Sequence, residues 1–140
     1  METEKMNKKT LRYGFIAAGL MNIFAVLILS RFFTNEAIPE QDPAVMSNFG
    51  LLMIIVWGFL YIAVAFNYRN AKWVVAVFVI EKLIYVIAWL LWMINNNVID
   101  VYEKDLFAGI FYSVYGINDF IFFMFFLYVF YKLQSSPHIA

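Results

Sequence analysis

The sequence predicts an all-α polytopic membrane protein, an antiparallel bundle of four transmembrane helices in one domain over residues 1–140. The first observation behind this is composition: 64% of the residues are hydrophobic, 14% are charged, and the mean hydropathy is +0.76. Soluble domains carry about 25% charged residues. The second is four apolar runs of the length that crosses a bilayer, about 20 residues. No period-two alternation indicates a barrel, so we interpret all four runs as helices.

The four predicted spans cover about residues 12–33, 45–67, 72–95 and 106–132. In the first, the apolar run starts at Tyr13 and continues through Ser30, and Phe32 and Phe33 extend it past Arg31. Its basic flank also fits a cleaved signal peptide. The run exceeds a usual signal-peptide core, however, and no small-residue cleavage pattern follows Ser30, which favours a retained span.

The other three runs differ in their content of charge. The second, from Ala44 to Tyr68, contains no charged residue. The third, from Trp73 to Ile94, is interrupted only by Glu81 and Lys82, and the fourth, from Leu106 to Tyr131, only by Asp119. Charge in the middle of a span is therefore confined to the third and fourth helices.

Three short links join the spans: residues 34–43, 67–72 and 95–105. Such short links predict that helices consecutive in sequence are antiparallel neighbours. In the third link, residues 98–105 are a candidate for a short segment lying on the membrane surface.

The distribution of basic residues predicts the orientation, because Lys and Arg are retained on the cytoplasmic side. The two tails and the middle link contain Lys5, Lys8, Lys9, Arg12, Arg69, Lys72 and Lys132. The other two links, with the adjoining end of the first span, contain only the basic residues Arg31 and Lys104, together with most of the acidic residues. We therefore expect both termini to be cytoplasmic, in an integral protein of the bacterial inner membrane.

The charges inside the spans are the best indication of function. Ionised groups cost free energy in hydrocarbon and usually face a bundle interior. A helical residue advances about 1.5 Å, and on that count several polar side chains share one slab of the membrane. The predicted ligand-binding residues are Glu81, Asp119, Lys82, Tyr85, Tyr115, Tyr112, Asn22, Tyr61 and Asn118.

Helical spacing places tyrosines on the same faces as the carboxylates. Glu81 and Tyr85 are four residues apart, while Tyr112 and Tyr115 precede Asp119 by seven and four residues. A phenolic hydroxyl one turn away can donate a hydrogen bond to a carboxylate. Each carboxylate thus shares a helix face with tyrosine, which can donate to it or line a wet cavity.

Two interpretations of Lys82 remain open, since it points about 100° away from Glu81. In the first interpretation, Lys82 pairs with Asp119 across the bundle, which leaves Glu81 to be protonated or to meet a cation. In the second, the long side chain of Lys82 reaches the lipid headgroups. In both cases two carboxyls and one ammonium leave one surplus negative charge, and burial favours its neutralisation.

Three functions fit this pattern. The favoured one is binding or transport of an amphipathic or cationic small molecule. The alternatives are a non-enzymatic membrane subunit or assembly factor, and a lipid-modifying enzyme with one acid and one base. Polar contacts between helices also stabilise a bundle without any further role. Because four helices enclose little volume, transport predicts a homo-oligomer.

Several classes of site are not expected. The chain has no cysteine, which excludes disulfides and thiolate chemistry. Its only histidine, His138, is predicted to be a solvated tail residue. No catalytic residue, metal or cofactor is assigned. The expected partners are the lipid bilayer and a lipid-like or cationic small molecule, without nucleic acid, because the N-terminal lysines are explained by topology.

Overall fold

A computed structural model describes the backbone of residues 2–136 and the side chains of residues 7–136. His138, and the prediction made for it, lie outside the described residues. The described part is helical and has no strand. Its elements are α1 (Glu2–Leu29), α2 (Ala37–Gln41), α3 (Asn48–Ala65), a 3₁₀ turn (Tyr68–Asn70), α4 (Lys72–Asn95), α5 (Val98–Lys104) and α6 (Leu106–Ser135).

Four of these helices are long and apolar enough to cross a membrane, namely α1, α3, α4 and α6. Large apolar side chains cover their outer surfaces, including Trp73, which is 72% exposed, and Ile94, which is 79% exposed. Soluble monomers rarely expose so continuous an apolar surface. The predicted all-α class with four helices of spanning length is confirmed, and it suggests a membrane-embedded protein.

Short polar side chains mark the starts of three helices. The Ser47 hydroxyl accepts a hydrogen bond from the backbone N–H of Gly50 at 3.1 Å, at the start of α3. The Asp105 carboxylate accepts one from Ala108 at 2.8 Å, at the start of α6, and Asn97 caps α5. A side-chain acceptor satisfies an N–H that has no partner inside the helix. These starts are local consequences of the sequence.

The end of α1 differs from the predicted boundary at residue 33. The helix ends at Leu29, and Arg31, Phe32 and Phe33 have left-handed backbone angles, with φ of 48°, 55° and 67°. This conformation costs about 1–2 kcal/mol for each such residue. Asn35 offsets part of that cost, because its side chain donates to the carbonyl of Leu29 at 3.1 Å. The apolar pattern alone does not reveal this cap.

The helices pack as two pairs, α1 with α3 and α4 with α6. The helices α3 and α4, which follow each other in sequence, make few close backbone contacts and meet through side chains, as Tyr61 does with Phe78 and Glu81. A short link fixes only the adjoining helix ends. Beyond the link, α4 lies against α6, where the Trp89 ring packs directly on Gly116.

The core is divided by depth. One apolar cluster lies toward the chain termini, and its largest fully buried members are Phe15, Tyr61, Phe78 and Phe126. A second cluster lies toward α2 and includes Ile55, Trp92, Phe111 and Tyr112. The residues that separate the two clusters along α1, α4 and α6 are polar: Asn22, Glu81, Lys82 and Asp119.

The short helix α2 closes the end of the bundle opposite the termini, which we call the α2 end. The Tyr112 hydroxyl donates to the carbonyl of Ile38 at 2.6 Å, and the Trp92 indole donates to the carbonyl of Gln41 at 3.1 Å. The Trp92 and Tyr112 rings stack with centroids 4.3 Å apart. The two rings thus fix α2 to α4 and α6.

Candidate functional site

Five buried polar side chains from α1, α3, α4 and α6 meet between the two apolar clusters. We call them the polar layer: Asn22, Tyr61, Glu81, Lys82 and Asp119. None is more than 7% exposed. The structure therefore brings together five of the residues that the sequence singled out, one or more from each spanning helix.

Lys82 pairs with Asp119 across the bundle. Its Nζ donates to Asp119 Oδ1 at 2.7 Å and to Asn22 Oδ1 at 3.2 Å, and it lies 5.2 Å from the centroid of the Tyr61 ring. The Asn22 amide in turn donates to the carbonyl of Ile54 at 3.0 Å. Of the two interpretations of Lys82, the structure has the ion pair, and the side chain does not reach toward the headgroups.

Glu81 has a different environment from Asp119. It accepts a hydrogen bond from the Tyr61 hydroxyl, and no described lysine or arginine lies within ion-pair distance of it. The one ammonium of the layer is already matched by Asp119. Glu81 is therefore the carboxyl of the polar layer that has no cation paired with it among the described residues.

The tyrosine donor to Glu81 is Tyr61 of α3, whereas helical spacing places Tyr85 on the same face of α4 as Glu81. Tyr61 is held in place by Phe78 and Phe126, with ring centroids 4.8 and 5.0 Å from its own. This packing directs its hydroxyl to Glu81. Within the described residues, Tyr85 makes no hydrogen bond to Glu81 and lines an open groove instead.

That groove lies between α3 and α4, and we call it the α3/α4 groove. It encloses about 490 Å³. Glu81 and Tyr85 are the ionisable groups in its lining, and most of the remaining lining is apolar. Met53, Trp57, Ile84 and Ala88 are among the other side chains in its wall. A single carboxyl therefore lies in the wall of an apolar groove.

Tyr115 and Asn118 lie on the other side of the bundle. With Asn22 and Asp119 they line a small cavity of about 50 Å³ between α1, α3 and α6. The Asn118 amide donates to Asp119 at 3.4 Å. The Tyr115 hydroxyl is buried and has no hydrogen-bond partner among the described residues. These two residues are near the ion pair and outside the α3/α4 groove.

Tyr112 is separate from the polar layer. Its hydroxyl donates to Ile38 at the α2 end, and two helical turns, about 10 Å, separate it from Asp119 along α6. Sharing a helix face did not bring the two side chains together. Neither Tyr112 nor Tyr115 donates a hydrogen bond to Asp119.

The layer combines a neutral ion pair with one carboxyl that faces an apolar groove. This arrangement can accept a single positive charge attached to an apolar body. Sequence reasoning missed Met53 and Trp57, because apolar side chains that line a groove have no distinguishing signal among so many others. Among the described residues, no cluster of three acidic, histidine or cysteine side chains is suited to a metal ion.

Comparison of the chain with protein-family models, with curated proteins and with solved structures found no match.

Proposed function

We propose that the protein binds an amphipathic amine in the α3/α4 groove, with Glu81 as the counter-ion of its ammonium group. The observation that carries this proposal is that Glu81 has no ion-pair partner among the described residues and lines an apolar groove. An ammonium group would form a charge-assisted hydrogen bond with the carboxylate. The apolar walls would bury the rest of the molecule.

The neighbouring groups support this assignment. The Lys82–Asp119 pair is internally neutral, so it neither repels nor competes strongly for a cation at Glu81. The Tyr61 hydroxyl donates to Glu81 and helps to orient the carboxylate. A volume of about 490 Å³ lies in the range of small-molecule sites, roughly 300–1,000 Å³.

The groove opens along the side of the bundle, and Ile84 in its wall is 59% exposed. In a bilayer such an opening would face acyl chains, which suits a ligand that partitions into the membrane. The excess of basic residues at the end with the termini favours a cytoplasmic location for that end. On this orientation the groove extends from Glu81 toward the outer face.

Two other functions are less well supported. Acid and base catalysis would need both carboxyls at one substrate, whereas Asp119 is engaged by Lys82. An assembly factor would receive a helix of another protein in the same groove. That alternative predicts a stoichiometric partner that copurifies and prevents small amines from binding.

The test compares a charged and a neutral probe with the same body, 1-aminoadamantane and 1-adamantanol. Calorimetric titration uses the full chain in nanodiscs, with empty nanodiscs as the blank. Glu81→Gln should weaken binding of the amine about 10-fold to 100-fold, because a hydrogen bond to a charged group contributes about 1.5–3 kcal/mol. The alcohol should bind both proteins equally.

Two controls separate charge from shape. Glu103→Gln makes the same change of charge at an exposed site on α5 and should leave binding of the amine unchanged. Ala88→Phe fills the groove and should weaken both probes, whereas Ala17→Phe on an exposed face of α1 should weaken neither. Equal affinity of the amine for the wild type and Glu81→Gln would contradict the proposal.

A further inference from the structure

The α3/α4 groove continues into a second open space at the α2 end. This space, which we call the α2-end pocket, encloses about 550 Å³ beside the last turns of α4, where Trp92, Asn95 and Asn96 line it. Three residues line both spaces: Ala44, Val45 and Ala88. The groove and the pocket therefore form one elongated cleft, which extends from Glu81 to the end of α4.

The polar groups of the α2-end pocket are suited to a cation. Asp42 is the ionisable residue in its lining, and no described lysine or arginine lies within ion-pair distance of it. The Asn95 and Asn96 amides each donate to a backbone carbonyl one turn earlier in α4, at 2.7 and 3.0 Å, and their side-chain oxygens are acceptors. Because α4 ends here, the negative end of its dipole lies beside the pocket. This end of the cleft therefore stabilises positive charge.

The Asp42 carboxylate is held in position and still has an oxygen available to a ligand. Its Oδ1 accepts a hydrogen bond from the backbone N–H of Val45 at 3.2 Å. Among the described residues, no donor lies within hydrogen-bond distance of its other oxygen, Oδ2. An ammonium group in the α2-end pocket can therefore bind this carboxylate without displacing another group of the described chain.

The separation of the two carboxylates indicates the length of a ligand that reaches both. The Trp92 indole donates to the carbonyl of Gln41 at 3.1 Å, so Asp42, the next residue, lies near the level of Trp92 along α4. Trp92 follows Glu81 by eleven residues, which is about 16 Å along a helix. Between these levels the cleft passes Ala88 and is mostly apolar. The cleft thus has an acidic group toward each end and an apolar middle.

We infer that the cleft binds a linear long-chain diamine, with Glu81 and Asp42 as the counter-ions of its two ammonium groups. The inference rests on the proposed function, because it takes Glu81 as the site of the first ammonium. No described basic residue lines either part of the cleft, so a second cation meets no like charge in the wall. A lipid acyl chain in the same cleft would leave both carboxylates without a counter-ion, which favours the diamine.

The experiment compares a diamine and a monoamine with the same carbon chain, by calorimetric titration of the full chain in nanodiscs with empty nanodiscs as the blank. The long diamine is 1,12-diaminododecane, whose extended length of about 16 Å matches the rise of eleven helical residues. The monoamine is dodecylamine. Asp42→Asn should weaken the long diamine about 3-fold to 10-fold, because it removes a charge-assisted bond at a half-buried site. It should leave dodecylamine unchanged.

Two controls separate the second site from surface charge. Glu40→Gln makes the same change of charge at an exposed site on α2 outside the cleft, and it should leave binding of the long diamine unchanged. Octamethylenediamine is shorter by four methylene groups and cannot reach both carboxylates, so Asp42→Asn should hardly affect it. Asp42→Asn keeps an oxygen that accepts from Val45, and circular dichroism and gel filtration check that each variant is folded.

The outcomes distinguish this inference from the proposed function. If Glu81→Gln weakens dodecylamine but Asp42→Asn does not weaken the long diamine, the groove binds an amine and only the inference is overturned. Equal weakening of both diamines by Asp42→Asn, or equal effects of Asp42→Asn and Glu40→Gln, would mean that surface charge alone matters and would also overturn it. If Glu81→Gln leaves dodecylamine unchanged, the proposed function fails and the inference fails with it.

Discussion

At the scale of single residues, the polar layer depends on which carboxyl Lys82 neutralises. Asp119 receives the ammonium from across the bundle, and Glu81, the immediate neighbour of Lys82 in sequence, receives a tyrosine hydroxyl instead. Adjacent residues on a helix point about 100° apart, so they cannot both face one partner. The result is one neutral pair and one carboxyl available to the groove.

Because Lys82 and Asp119 form a buried ion pair, we expect the loss of one partner to destabilise the protein more than the replacement of both. Lys82→Met should lower the free energy of unfolding by about 3–5 kcal/mol, because it leaves Asp119 buried without a cation. The double variant Lys82→Met/Asp119→Leu should lose less than Lys82→Met alone. Unfolding by dodecyl sulfate in mixed micelles, followed by circular dichroism, measures the three values. A loss in the double variant as large as that in Lys82→Met, or larger, would contradict this coupling.

At the scale of helices, α1 and α3 approach so closely that their backbones meet. A Cβ atom on Gly19 would lie 2.5 Å from the carbonyl oxygen of Gly58, and one on Gly58 would lie 2.8 Å from the carbonyl oxygen of Gly19. Small residues permit such crossings in membranes, where the attraction between helices is mostly van der Waals contact. This crossing lies within one turn of Asn22 and therefore helps to position the polar layer.

The crossing predicts that Gly58→Ala separates α1 from α3. The methyl group would meet backbone that cannot move alone, so we expect a loss of about 1–3 kcal/mol, as in other overpacked cores. Ala17→Val, an enlargement on the exposed face of α1, should change stability little. Thermal unfolding in micelles compares the two variants. A wild-type midpoint for Gly58→Ala would show that the helices do not cross at these glycines.

At the scale of the whole molecule, the fold consists of two helix pairs. They are joined by the polar layer and by polar contacts at the α2 end. The polar layer crosses between the pairs, from Lys82 to Asn22 and from Tyr61 to Glu81. At the α2 end, Asp105 accepts hydrogen bonds from Asn35 and Ala108 and forms an ion pair with Arg31 at 2.8 Å. The two helix pairs are thus connected at the polar layer and at the α2 end, while the α3/α4 groove remains open.

The Asp105 carboxylate should make the stability of the protein depend on pH. Burial opposes its ionisation, but the hydrogen bonds from Ala108 and Asn35 and the Arg31 guanidinium outweigh burial and lower its pKa. A carboxyl with a lowered pKa in the folded state stabilises the protein above its unfolded pKa, about 3.9. That contribution is lost as the pH falls through the folded value.

The measurement is the thermal midpoint between about pH 7 and pH 2.5, a range that spans the titration of aspartate. The midpoint of the wild type should fall more steeply on acidification than that of Asp105→Asn, which keeps the helix cap and removes the charge. Glu103→Gln, a neighbouring exposed site, should follow the wild type. Parallel curves for the wild type and Asp105→Asn would contradict the role of the charge.

The sequence by itself determined the four long helices, the link that contains α5, and the presence of charge inside the bundle. Each of these depends on local properties: the length of an apolar run, a capping side chain, or a charged residue between apolar neighbours. The pattern of Glu81, Lys82 and Asp119 also predicted a surplus negative charge without any knowledge of contacts.

Only the tertiary structure decided how the helices rotate and pair. Tyr61 rather than Tyr85 donates to Glu81 because aromatic packing between α3, α4 and α6 positions its ring. The α3/α4 groove exists because α4 packs on α6 through Trp89 and Gly116, which a short link to α3 does not prevent. Such choices depend on steric fit between segments remote in sequence, and hydrophobic periodicity carries no information about that fit.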